Sequence, residues 1–252
     1  MNFRRLIPLL VPLSVWLLSQ AFLLVPKIFL IAVSLGLVII LFGVKALVGR
    51  EKKRDWLLYF IAPTLFFISA NAYAAVTVSR LVIQSAFLLT AWFLFSYFKN
   101  LYYYLSYGAP DRALKIEHLV VSGGFLTVFA ASGVLFDLPA FINWPVWADA
   151  IVFFIIFFLL FLQFLPFKKI SLLSSGAELV IGSLILSELA LALTMLPLNF
   201  NILALIMAII YYFFLSVVRL KWQDRLSRRA LKYPLILSIF IILLLLLTAN
   251  WL

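Results

Sequence analysis

Nine apolar runs, each 17 to 24 residues long, occupy most of the chain: 6–24, 28–48, 56–78, 81–98, 118–136, 146–166, 173–196, 202–218 and 234–250. A helix rises about 1.5 Å per residue, so about 20 apolar residues match the hydrocarbon thickness of a bilayer. Composition points the same way. The 252 residues are 67% hydrophobic and only 12% charged, whereas a soluble domain carries about 25% charged residues. The solvent for so much apolar surface is lipid. The fold class predicted is an all-α, polytopic integral membrane bundle of nine transmembrane helices. Spans fill almost the whole chain, so one membrane domain over 1–252 is expected.

Lysine and arginine set the threading. With the N-terminus cytoplasmic, the inner segments hold 18 of the 20 basic residues, among them Arg4, Arg5, Lys45, Lys99, Arg112, Lys115 and the six between Arg219 and Lys232. The outer segments hold only Lys27 and Arg80. Insertion retains positive charge in the cytoplasm, so the bias predicts the N-terminus in and the C-terminus out, in a plasma or inner membrane. It also accounts for the net charge of +11 without nucleic acid. The opening MNFRRLIPLLVPLSVWLLSQA imitates a signal peptide, but a second apolar run follows at once, so it reads as a retained first span. Pro8 and Pro12 predict a kink near its start.

The longest polar segments are 49–55, 102–117 and 219–234, all on the predicted inner side. In the last, Trp222, Leu226, Ala230 and Tyr233 recur at helical spacing between arginines. That pattern predicts an amphipathic helix on the inner leaflet; the alternative is a coupling segment, 219–232, for a cytoplasmic partner. Tyr102, Tyr103, Tyr104 and Tyr107 on one side, and Trp144 and Trp147 on the other, form interfacial aromatic belts.

Lipid does not drive helices together hydrophobically; small residues allow close approach and polar side chains bond across. The third span carries SANAYAA with Asn71 near mid-depth, and the fifth has Gly123, Thr127 and Ala131 every four residues. The seventh has Ser171, Ser174, Ser175, Glu178 and Gly182 on one narrow face. These three are expected at the centre. The sixth and ninth lack such faces and are expected at the rim, with Phe157 and Phe158 mostly toward lipid or only partly covered.

Glu178 and Glu188, in the seventh span, are the best handle on function. Both fall at hydrocarbon depth, about 15 Å apart along the axis and about 80° around it. They can line one cavity at different depths but cannot share a proton. An ionised carboxylate there costs about 3 kcal/mol on insertion scales, so it must protonate or find a partner. Arg80 is the candidate for Glu188 and Lys45 for Glu178; Asn71 and Gln84 are neutral candidates. Two readings stand: carboxylates that exchange a proton or cation during transport, or hydrogen-bonded glue between helices.

Other chemistry has little to stand on. There is no cysteine and one histidine, His118, which leaves no thiolate, cluster or multi-histidine metal site, and no cofactor is expected. Asp137 and Asp149 flank the outer loop between the fifth and sixth spans. They suggest either a solvated loop charge and a helix N-terminal charge, or an outer-face site acting on a lipid carrier. Glu117 points about 100° away from His118, so a triad with Ser122 is poorly oriented. No phosphate-binding glycine loop occurs. The sequence reading is a small transporter or permease component, with a lipid-carrier enzyme and a structural subunit of a membrane complex as alternatives.

Overall fold

The computed structural model describes residues 3–49, 56–108, 110–141, 145–168, 172–223 and 226–248. Regular structure there is helical. Beyond two 3₁₀ turns, Phe3–Arg5 and Pro26–Ile28, the helices are α1 Ile7–Leu24, α2 Phe29–Val48, α3 Trp56–Val76, α4 Arg80–Tyr107, α5 Pro110–Phe141, α6 Val146–Leu162, α7 Leu165–Lys168, α8 Leu172–Leu193, α9 Phe200–Trp222 and α10 Arg228–Thr248. Among the described residues, eight helices are long and apolar enough to cross a bilayer. The ninth, α6, has 17 residues, at the lower end of the range that spans. The chain is a multi-pass helical membrane protein. Trp144, Ser171 and Arg225 lie outside the described residues.

Two compact units divide the chain, Met1–Gly124 and Phe125–Leu252, and α5 contributes to both. In the first, α1 packs on α2 and α4, and α3 packs on the same two helices. Pro63 of α3 has no N–H, so the Tyr59 carbonyl, one turn back, loses that donor. Tyr97 of α4 supplies one: its fully buried hydroxyl donates to the Tyr59 carbonyl at 2.7 Å. The Tyr97 ring stacks on Phe93 (6.0 Å between centroids), and Phe93 stacks on Phe66 (4.3 Å). Gly123 of α5 lets that stack approach, because a Cβ at this position would collide with the Phe93 ring.

The second unit has a different core. Here α6 packs along α8, α8 on α9 and α9 on α10. Phe153, Phe157 and Phe161 recur every four residues on α6 and are buried. Phe157 and Phe161 both meet Tyr211 of α9, each with ring centroids 6.0 Å apart. The expectation of α6 at the rim is therefore overturned by Phe157, which is fully buried, whereas Phe158 is only partly covered, as expected. The small residue that admits the aromatic face sits on the partner helix, where Gly182 of α8 faces Phe161. A helix without small residues of its own can still be central when its neighbour carries them. The burial expected of Thr127 and Ala131 holds, at 2% and 7% exposure. In α10 only Ser238 is buried, as a rim helix requires. Of the eight spans α3 and α5 are the most buried, whereas α8 is less buried than α9, because α8 turns only one face inward.

Two expected polar loops are largely helix. α4 runs on to Tyr107 and α5 begins at Pro110. The turn needs Gly108, which caps α4 in the left-handed region at φ 62° and donates its N–H to the Tyr104 carbonyl. At the other end of the chain the single amphipathic helix does not form. Trp222 ends α9, and Ala230 and Tyr233 belong to α10.

Candidate functional site

Helix α8 reads as two faces. Ser175, Leu179, Gly182, Ser183, Leu186, Ser187 and Ala190 are buried, while Val180, Ile181, Leu184 and Ile185 are exposed. Glu178 lies on the flank of the buried face and is half-buried. Its two oxygens have separate partners on the last turn of α9. The Lys221 ammonium lies 2.6 Å from Oε1, and the Trp222 indole N–H donates to Oε2 at 3.0 Å. The Lys221 side chain is 56% exposed and that of Glu178 30%. The ion pair is thus partly exposed at the surface of the helices rather than sealed between them. Lysine at the last turn is also favoured by the helix dipole.

This corrects the expected partner. Lys45 was the sequence candidate for Glu178, but Lys221 holds it. The signal lies in the segment RLKWQDRLSRRALKYP, whose amphipathic period suggests a separate helix and so places Lys221 and Trp222 at the membrane surface. Extending α9 by four residues instead brings both onto α8.

Glu188 is exposed and continues the outer stripe of α8, one turn beyond Leu184. Arg80, its expected partner, belongs to the first unit and is exposed at the first residue of α4. The α8 serines do not form an open polar row. Ser183 donates to the Leu179 carbonyl at 2.6 Å and Ser187 to the Leu184 carbonyl at 2.8 Å, so each is satisfied on its own helix.

Asn71 acts as an interhelical anchor. Its amide donates to the Phe67 carbonyl at 2.8 Å, and its carbonyl lies 3.2 Å from the Ser19 hydroxyl of α1. Gln84, the other neutral candidate, forms a two-way amide pair with Gln20 of α1, at 2.8 and 3.1 Å. Both pairs are neutral and belong to the first unit, Asn71 buried and Gln84 exposed, and sequence spacing gives no sign of either pairing.

The two aspartates are placed differently from a solvated loop. Asp137 lies within α5, which continues to Phe141, and is half-buried. Asp149 occupies the first turn of α6, where the dipole favours a carboxylate, but it is only 1% exposed. Its carboxylate does not face the solution from which a lipid carrier would be reached. Ser122 donates to the backbone carbonyls of His118 and Leu119, both at 3.1 Å, rather than to the imidazole. Among the described residues no three His, Cys, Asp or Glu side chains gather as a metal site.

Comparison with known proteins finds no relative: no family model, no curated protein and no solved structure matches the chain.

Proposed function

We propose that the chain is a small transporter or permease component of the cell membrane, with Glu178 as the carboxylate that exchanges partners during the cycle. The observation that carries this reading is the Glu178 clamp, a half-buried carboxylate on a spanning helix held by two groups from the end of its neighbour. A carboxylate gripped by an ammonium and an indole N–H is stable while charged. Uptake of a proton, or of a competing cation, removes the reason for the Lys221 contact and unlatches α8 from the end of α9. Intramembrane carboxylates that pair reversibly are the usual means of coupling such a step to transport. Glu188, ten residues along, offers a second carboxylate at another depth. As a permease component, the chain would meet a soluble partner through Arg228, Arg229 and Lys232, which are exposed beside the clamp in sequence.

Proteoliposomes loaded with a pH-sensitive dye test the reading. A panel of amino acids, sugars, organic cations and organic anions is added, and solute-dependent proton movement is read. The expected result is a response to at least one class that is lost in Glu178→Gln and reduced in Lys221→Gln. A response unchanged in Glu178→Gln, or none from the parent with any solute, refutes it.

A further inference from the structure

The first unit contains a second arrangement that the transport reading does not use. At the end where α1 begins and α4 finishes, a cavity of about 430 Å³ is lined by Arg5, Lys99, Tyr102, Tyr103 and Tyr107, with Leu9 and Phe95 at its apolar side. No carboxylate lines it. Arg5 shares this cavity with Tyr102 and Tyr107, whose hydroxyls hold its guanidinium pKa above the usual value. A guanidinium has five N–H donors, so fixing it on two phenol oxygens leaves donors directed for an anion. The three tyrosine rings brace one another, with centroids 5.5, 6.2 and 5.9 Å apart. Behind them Arg112 lies over the Tyr103 ring at 4.9 Å and donates to Asn100 at 3.0 Å. Lys99 sits over Phe95, 5.5 Å from the ring centroid. Two cations are therefore held at one small opening, although like charges repel.

A second cavity adjoins the first. It has a volume of about 330 Å³, is almost wholly apolar, and is lined by Leu9, Leu13 and Trp16 of α1 and by Leu88, Ala91 and Phe95 of α4. Leu9 and Phe95 line both cavities, so the cationic opening continues into an apolar groove between the two helices. Leu9 to Trp16 and Phe95 to Leu88 each cover about 10 Å of helix.

We propose that this composite site binds an anionic phospholipid, its phosphate between Arg5, Lys99 and the tyrosine hydroxyls and one acyl chain along the α1–α4 groove. Phosphate accepts charge-assisted hydrogen bonds from guanidinium and ammonium groups together, and a basic pocket at helix ends on the cytoplasmic side suits an anionic headgroup. The groove decides for a lipid over a soluble phosphate, because a soluble ion leaves it unfilled. Neither cavity includes a residue of the Glu178 clamp, so the inference stands apart from the transport reading.

The test uses the full chain, delipidated in detergent. Phosphatidylglycerol, phosphatidylcholine with the same acyl chains, and glycerol 3-phosphate are added separately, and bound lipid is counted by native mass spectrometry beside a melting curve. Retention of phosphatidylglycerol about tenfold tighter than of phosphatidylcholine is expected, a difference of about 1.4 kcal/mol. Arg5→Gln and Lys99→Gln should each abolish the preference, while Arg228→Gln, outside the cavity, should keep it. Ala91→Leu, which fills the groove without touching charge, should weaken phosphatidylglycerol retention. Should Arg5→Gln fail to fold, Lys99→Gln at an exposed position carries the charge test. Equal retention of the two lipids, a preference that survives Lys99→Gln, or glycerol 3-phosphate occupying the site as well as the lipid does, overturns the proposal.

Discussion

Two interhelical contacts of the first unit and the clamp of the second differ in charge and in burial. In the first, two contacts deep among the helices join neutral groups, Ser19 with Asn71 and Tyr97 with the Tyr59 carbonyl. In the second, the ion pair of Glu178 with Lys221 is charged, partly exposed and placed at a helix end. A neutral hydrogen bond sealed in an apolar interior is expensive to break, because its groups have no water to turn to. A half-exposed ion pair at a helix end is open on one side, so where water or headgroups reach that end they can take over its charges. The first pattern therefore fixes helices, and the second permits an exchange.

Three substitutions probe this contrast, from the largest expected effect to the smallest. Gly123→Leu should destabilise the first unit by about 3 kcal/mol, the upper end for overpacking, since the added carbons meet the Phe93 ring. Melting in detergent measures it. A variant that melts like the parent would show that the aromatic stack is loose, and the first unit would lose its claim to rigidity.

Tyr97→Phe should cost about 2 kcal/mol. It keeps the ring against Phe93 but removes the donor that Pro63 makes necessary at the Tyr59 carbonyl. Replacing Pro63 with alanine in the same variant restores a backbone N–H, so the double variant should regain part of the loss. Equal melting of Tyr97→Phe and parent would mean that water reaches this carbonyl, which would erase the distinction between the units.

The smallest effect belongs to the clamp. A double-mutant cycle on Glu178→Gln and Lys221→Gln should give a coupling of about 0.2–1 kcal/mol in stability, as for exposed pairs. Activity in liposomes, by contrast, should fall steeply in Glu178→Gln. A coupling above about 3 kcal/mol would show a dry pair serving as glue and would move Glu178 into the class of Asn71.

The way α6 departs from expectation has a general cause. Its run AIVFFIIFFLLFLQF has the composition of a lipid-facing helix, yet Phe153, Phe157 and Phe161 form the core against Tyr211. Aromatic rings are equally at home in lipid and in protein, so their burial depends on whether a neighbour offers a recess. Gly182 offers one from α8. By comparison α10, equally apolar, meets no such recess and stays exposed. Nothing within either run distinguishes them.

By itself the sequence determined the class of solvent, the order of the apolar segments, and the outline of nine of the helices apart from their ends, but not the short α7. Those properties follow from local sums: about 20 apolar residues make a span, whatever surrounds them. It also marked Glu178 as out of place, because a carboxylate at that depth is costly in any fold. Only tertiary structure decided what resolves the cost. Lys221 and Trp222 reach Glu178 because α9 runs on through a segment whose period suited a separate helix. Gln84 finds Gln20 because α1 packs beside α4, and Asn71 reaches Ser19 because α1 and α3 both pack on α2 and α4. Partner choice depends on which helices touch and at what rotation, and in lipid these depend on pairwise fit rather than on the hydrophobicity that a single segment displays.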